Sequence, residues 1–117
     1  MKYLFLGYPK CNTCTKAIKW LEDHSIDFIC RNIVENPPSE KELRSWIKHS
    51  SYTAKNFFNT SGLVYKELHL KDKMDSLSEA EKLKLLSSNG KLVKRPLLIS
   101  ENIVLIGFKA PEWEKVK

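Results

Sequence analysis

The chain has 117 residues, 42% hydrophobic and 29% charged, with a formal net charge of +6. That length buries one core, that composition excludes a disordered chain, and no apolar run approaches the ~20 residues of a membrane span. The basic excess is mostly lysine spread along the chain, with no helix-turn-helix or aromatic-basic pattern. It reads as a solvated surface, so neither direct nucleic-acid binding nor a membrane partner is expected.

The opening MKYLFLGYPK holds one short apolar run, too short for a signal segment and without a cleavage pattern. A cytoplasmic protein is therefore expected, in a compartment where thiols stay reduced and a CxxC is catalytic or metal-binding rather than a staple. Tyr3-Leu-Phe-Leu-Gly7 reads as a buried strand feeding a turn at Pro9. A helix follows from about Asn12 to His24, with an apolar stripe of Cys14, Ala17, Ile18 and Leu21. Ile26–Ile33 reads as a second strand, with Cys30 inside it as a small packing residue.

After Asn36-Pro-Pro-Ser39, a capping box of Ser39 and Glu42 opens a helix to about His49. The stretch from Thr53 to Ser88 reads as short helical pieces. The clearest runs from Ser78 to Leu86, opened by a Ser78–Glu81 box and closed by Asn89-Gly90 as a C-cap. Leu97–Ser100 and Ile103–Ile106, joined by Glu101-Asn102, form a hairpin, and a last helix spans Pro111 to Val116.

A helical crossover between the first two strands makes them parallel, and the closing hairpin is antiparallel. The expected fold is α/β and thioredoxin-like: a four-stranded mixed sheet with flanking helices. Residues 1–117 form a single domain with a helical insert over about 40–90.

Cys11 and Cys14 are the chemical centre of the chain. Zinc needs four ligands, and no second cysteine pair or close histidine pair supplies them, since His24, His49 and His69 stand alone on expected surface positions. A redox pair fits the strand–turn–helix setting. Cys11 falls at the helix N-terminus, where free amides and the helix dipole stabilise a thiolate, with Lys10 beside it. Cys14 lies one turn in, on the core-facing stripe. Cys11 is thus the expected nucleophile and Cys14 the resolving cysteine.

YPKCNTCTKAIKWLEDHSIDF, the RNI of Arg31–Ile33, the ENPPS-EL of Glu35–Leu43 and KRPLLI around Arg95-Pro96 together resemble the arsenate reductase (ArsC)/Spx/YffB family, from Tyr3 to about Val116. The resemblance implies a thioredoxin-like fold with a helical insert and makes Cys11 the reactive cysteine. It also implies a cis Arg95-Pro96 bond facing the cysteine loop, where the guanidinium offers a fork of donors to an oxyanion or a thiolate. Cys11, Cys14 and Arg95 are then the catalytic candidates, and Lys10, Asn12 and Pro96 the substrate-binding ones.

Three branches of the family separate on further residues. Arsenate reductases of this kind resemble the chain but use two more arginines; here the corresponding stretches read Phe57-Phe-Asn-Thr60 and Gly107-Phe-Lys109. The Spx regulators, which bind RNA polymerase, use a glycine where this chain reads His49-Ser-Ser-Tyr-Thr53, and carry a longer tail. The branch with a CxxC and a short tail fits best. The resulting expectation is a monomeric thiol–disulfide oxidoreductase without metal or organic cofactor. A thiol reductant (glutathione, thioredoxin or bacillithiol) would serve it, acting on a disulfide or oxyanion substrate. A redox-sensing regulator that binds RNA polymerase, and an arsenate reductase, are the alternatives.

Overall fold

The computed structural model describes residues 3–116. β1 (Tyr3–Gly7) leads through a tight turn into α1 (Asn12–Asp23), and β2 (Phe28–Asn32) returns parallel to β1 with Phe5 opposite Cys30 and Gly7 opposite Asn32. α2 (Glu40–Lys48), α3 (Leu63–Glu67), α4 (Leu70–Lys73) and α5 (Glu79–Ser88), with 3-10 turns between them, fill the stretch before the closing strands. β3 (Leu97–Ile99) and β4 (Val104–Ile106) form an antiparallel hairpin, closed by Ser100 N–H donating to Ile103 O at 2.9 Å. α6 (Ala110–Trp113) runs into a final 3-10 turn, Glu114–Val116.

The sheet order is β2-β1-β3-β4, parallel on one side of β1 and antiparallel on the other. This is the thioredoxin-like α/β arrangement. Alternation along the strands feeds two cores, since successive side chains leave opposite faces of a sheet. Tyr3, Phe5, Leu98 and Leu105 pack with Cys14, Ala17 and Leu21 of α1 and with Trp113 of α6. Leu6, Leu97, Ile99, Val104 and Ile106 pack on the opposite face against Leu43, Phe57, Tyr65, Leu83 and Leu86.

The local signals account for the helices that border the site. Both capping boxes form: Ser39 Oγ accepts from Glu42 N–H at 3.0 Å, and Ser78 Oγ accepts from Glu81 N–H at 3.1 Å. Two local readings need correction. Asn89 does close α5 as its C-cap, but it is extended (φ −156°, ψ 111°) and also caps the following 3-10 turn, Gly90–Leu92, by accepting from Lys91 N–H at 2.9 Å. Gly90 is therefore no left-handed cap. Its reason is space: a Cβ there would lie 1.8 Å from the Ile33 carbonyl oxygen. Cys30 is exposed rather than packed, because β2 is an edge strand.

Candidate active site

β1 is the central support of the cysteine loop. Its last residue, Gly7, is buried, and a Cβ there would meet Phe5 Cε1 at 2.6 Å and Cys14 Sγ at 3.3 Å. Glycine thus lets the Cys14 sulfur settle against the strand backbone. The chain then turns at Pro9, and Cys11 N–H donates to Tyr8 O at 3.0 Å.

Cys11 is the N-cap of α1, partly exposed, and its sulfur accepts from the Cys14 backbone N–H at 3.3 Å. The thiol takes the place that a serine or aspartate oxygen holds at an ordinary N-cap, so one of the helix's free amides points at the sulfur. Cys14 is only 2% exposed. Burial pushes its thiol up to about 12, and its hydrogen bond with Cys11 and the Cys11 charge act in the same direction. The Tyr8 backbone amide and the charge of Arg95 pull the other way. Two cysteines three residues apart are thereby made chemically unequal.

Arg95 and Pro96 join through a cis peptide bond, with Pro96 buried and Arg95 half-buried. The Arg95 guanidinium carbon sits 5.7 Å from the centroid of the Tyr8 ring, a cation–π stack. Its Nε and Nη1 are buried and have no hydrogen-bond partner among the described residues. Lys10 on the loop and Asn12 at the start of α1 are exposed and line neither of the two clefts beside them.

Tyr8 is a wall of both clefts, a role that its place in the sequence did not announce. On one side an apolar cleft of about 310 Å³ runs between α1 and β2 and contains Cys14, Ile18 and Cys30. On the other a more polar cleft of about 560 Å³, with Leu63 and Val64 among its walls, lies between Arg95 and the chain from Asn59 to Glu67.

The remaining arginines are committed elsewhere. Arg31 holds Glu42 with a fork of 2.7 and 2.9 Å and also donates to the Asn36 and Pro37 carbonyls. Arg44 is exposed and pairs with Glu40 at 3.6 Å. Phe57 and Phe58 are buried core residues, and Lys109 is exposed at the N-cap of α6. Among the described residues no group of three or more His, Cys, Asp or Glu side chains is placed to hold a metal ion, and no helix is long and apolar enough to cross a membrane.

A model of the ArsC family matches residues 6–116. The chain belongs to the ArsC family. Its relatives include the YusI protein of Bacillus subtilis (strain 168), 47% identical over 115 residues that cover 98% of each chain. The global transcriptional regulator Spx of Streptococcus pyogenes serotype M1 is 31% identical over 112 residues, covering 96% of this chain and 81% of the relative. Among solved structures, an ArsC family related protein from Bacteroides fragilis has a TM-score of 0.96 at 54% identity, covering 100% of this chain and 98% of the other. A possible arsenate reductase from Streptococcus mutans UA159 has a TM-score of 0.87 at 41% identity, covering 96% and 97%. The ArsC family thus includes, near this chain, both reductase-like proteins and regulators.

Proposed function

We propose that this ArsC-family chain is a cytoplasmic thiol–disulfide oxidoreductase in which Cys11 attacks and Cys14 resolves. The observation that carries the reading is the inequality of the two thiols: Cys11 partly exposed at the mouth of α1, Cys14 buried and protonated beneath it. The Cys11 thiolate attacks one sulfur of a substrate disulfide, forms a mixed disulfide and expels the other half as a thiolate that takes up a proton. Cys14 then gives up its proton and attacks the Cys11 sulfur, releasing the second half as a thiol. The substrate gains two electrons and the Cys11–Cys14 pair loses them.

Capping of Cys11 prepares the second step. A mixed disulfide removes both the Cys11 charge and its thiol hydrogen bond, two of the causes that hold Cys14 high. The Tyr8 amide and Arg95 then oppose only the burial. Arg95 and Pro96 shape the site, and Lys10 and Asn12 present the loop. A disulfide substrate is favoured over arsenate because, among the described residues, Arg95 is the one arginine free to serve the cysteines, Arg31 and Arg44 being paired. The whole chain works as one domain, re-reduced by a thiol donor.

A disulfide-reduction assay tests the reading. Cys11→Ser abolishes turnover, and Cys14→Ser accumulates a mixed disulfide on Cys11, visible as added mass. Turnover retained by Cys11→Ser would overturn it. The Spx relative supports a second reading, in which the same disulfide switches binding to RNA polymerase. Redox-dependent pull-down of the carboxy-terminal domain of the polymerase α polypeptide, with negligible turnover on small disulfides, would favour that regulator.

A further inference from the structure

The end of the sheet away from the sulfurs has a pocket of its own. Leu97 pairs with Leu6 and Ile99 with Leu4, so Ser100, the residue after β3, lies at the end where β1 begins. There a space of about 410 Å³ opens between the C-terminus of α2 and the β3–β4 turn, within the size range of small-ligand sites. Trp46 and His49 line it from one side, and Ser100, Glu101 and Asn102 from the other.

Its polar groups are acceptors left open. The Ser100 Oγ is buried and has no hydrogen-bond partner among the described residues, which is costly until a ligand supplies one. His49 Nδ1 lies 2.8 Å from Ser45 O. A carbonyl only accepts, so Nδ1 carries a proton, and Nε2 of the neutral ring is left as an acceptor. Glu101 takes part in no ion pair among the described residues. The nine-residue α2 ends here, and its carbonyl end adds partial negative charge. Among the described residues no lysine or arginine lines the pocket; Lys48, next to His49, lines the groove between α2 and α5 instead. Trp46 and Val104 form an apolar wall, each still 8% exposed.

These groups exclude two classes of ligand. A simple anion finds no cation, and a metal ion finds only His49 and Glu101, short of the three protein ligands of an open metal site. A guanidinium fits. Its planar fork spreads five donors over a carboxylate, an imidazole nitrogen and a hydroxyl, and its weak hydration suits a half-apolar pocket. An ammonium has three donors and holds its water more strongly.

We propose that this pocket binds a guanidinium carried on a short alkyl stem. The fork meets Glu101, further N–H groups donate to His49 Nε2 and Ser100 Oγ, and the stem lies along Trp46 and Val104. The site is separate from the cysteines, and it stands whether or not Cys11 is the attacking thiol.

The probe is butylguanidinium, with butylurea as its uncharged counterpart of the same shape. Titrated into the full chain and followed by amide chemical shifts, butylguanidinium should saturate at millimolar concentration and move His49, Ser100, Glu101 and Asn102. Butylurea, and butylguanidinium on Glu101→Gln, should each bind about fivefold more weakly, the scale of one exposed charge pair. Ser100→Ala should also weaken binding, yet leave the urea midpoint of the free protein unchanged or higher, because it removes an unpaired hydroxyl. A serine with a purely structural role would lower that midpoint. Agmatine stands for a free small molecule and N-acetylarginine methylamide for a side chain on a polypeptide; both should bind, and the tighter of the two names the source. No saturation, equal binding of butylurea, or binding that neither Glu101→Gln nor Ser100→Ala weakens would overturn the proposal.

Discussion

The buried thiol of Cys14 offers the sharpest quantitative test. With its thiol at about 12, Cys14 is ionised to roughly one part in 10⁴ at pH 8, against about one part in ten for a thiol at the ordinary value of 9.0. Alkylation by iodoacetamide follows the thiolate, so the logarithm of the Cys14 rate should rise by about one unit per pH unit through pH 10.5 without a plateau. Mass mapping separates Cys14 from the exposed Cys30. Burial slows the reaction at every pH, so the shape of the profile and not its height carries the test. Cys11→Ser removes the Cys11 charge and its thiol partner, and should bring the profile of Cys14 down toward neutral pH while leaving it above 9.0, since burial is the largest cause. A wild-type profile that levels off at or below pH 9, or one that Cys11→Ser leaves in place, would refute the reasoning.

Tyr8→Leu removes the ring beneath Arg95 and should lower kcat/KM for disulfide reduction by about two- to thirtyfold, the range of a cation–π contact, while Tyr8→Phe restores most of it. Gly90→Ala forces a methyl group into the Ile33 carbonyl and should cost about 2 kcal/mol or more, read as a lower urea midpoint; an unchanged midpoint would show that the two backbones separate freely. Arg31→Ala leaves Glu42 without its forked partner and should cost about 1–2 kcal/mol at neutral pH, a sum that allows for the solvent reaching both side chains. Glu42 sits below the ordinary 4.5, chiefly through its hydrogen bond to Arg31. Its contribution is therefore full above that value and fades as pH falls through the lowered one, so in acid the variant should lose stability less steeply than the wild type.

Much of the fold was legible because its signals are local. The Ser39–Glu42 and Ser78–Glu81 boxes each state a helix start in four residues, and both formed. The i, i+3, i+7 spacing of Cys14, Ala17 and Leu21 turned one cysteine inward. The misreadings arose where the deciding contact is distant. Cys30 has the neighbours of a buried strand residue, yet β2 takes an edge, and only the sheet order says so. Gly90 follows an asparagine at a helix end, as a left-handed cap would, but it answers to Ile33, far back in the chain. The polar cleft draws on Asn59, Glu67, Lys91 and Arg95, and no short pattern joins them. Tyr8 carried one clue, an aromatic directly before the turn to Cys11, whose meaning depended on where Arg95 would lie.

The two cores on opposite faces of the sheet divide the labour of the molecule. The cysteines belong to β1 and α1 and are fastened by the core beneath α1 and α6. The recess beyond Tyr8 belongs to the segment between β2 and β3, whose helices pack on the other face. Substitutions in that segment can therefore change what is brought to the sulfurs while their own geometry stays as it is. A scaffold so divided can keep one sulfur chemistry and exchange its clients.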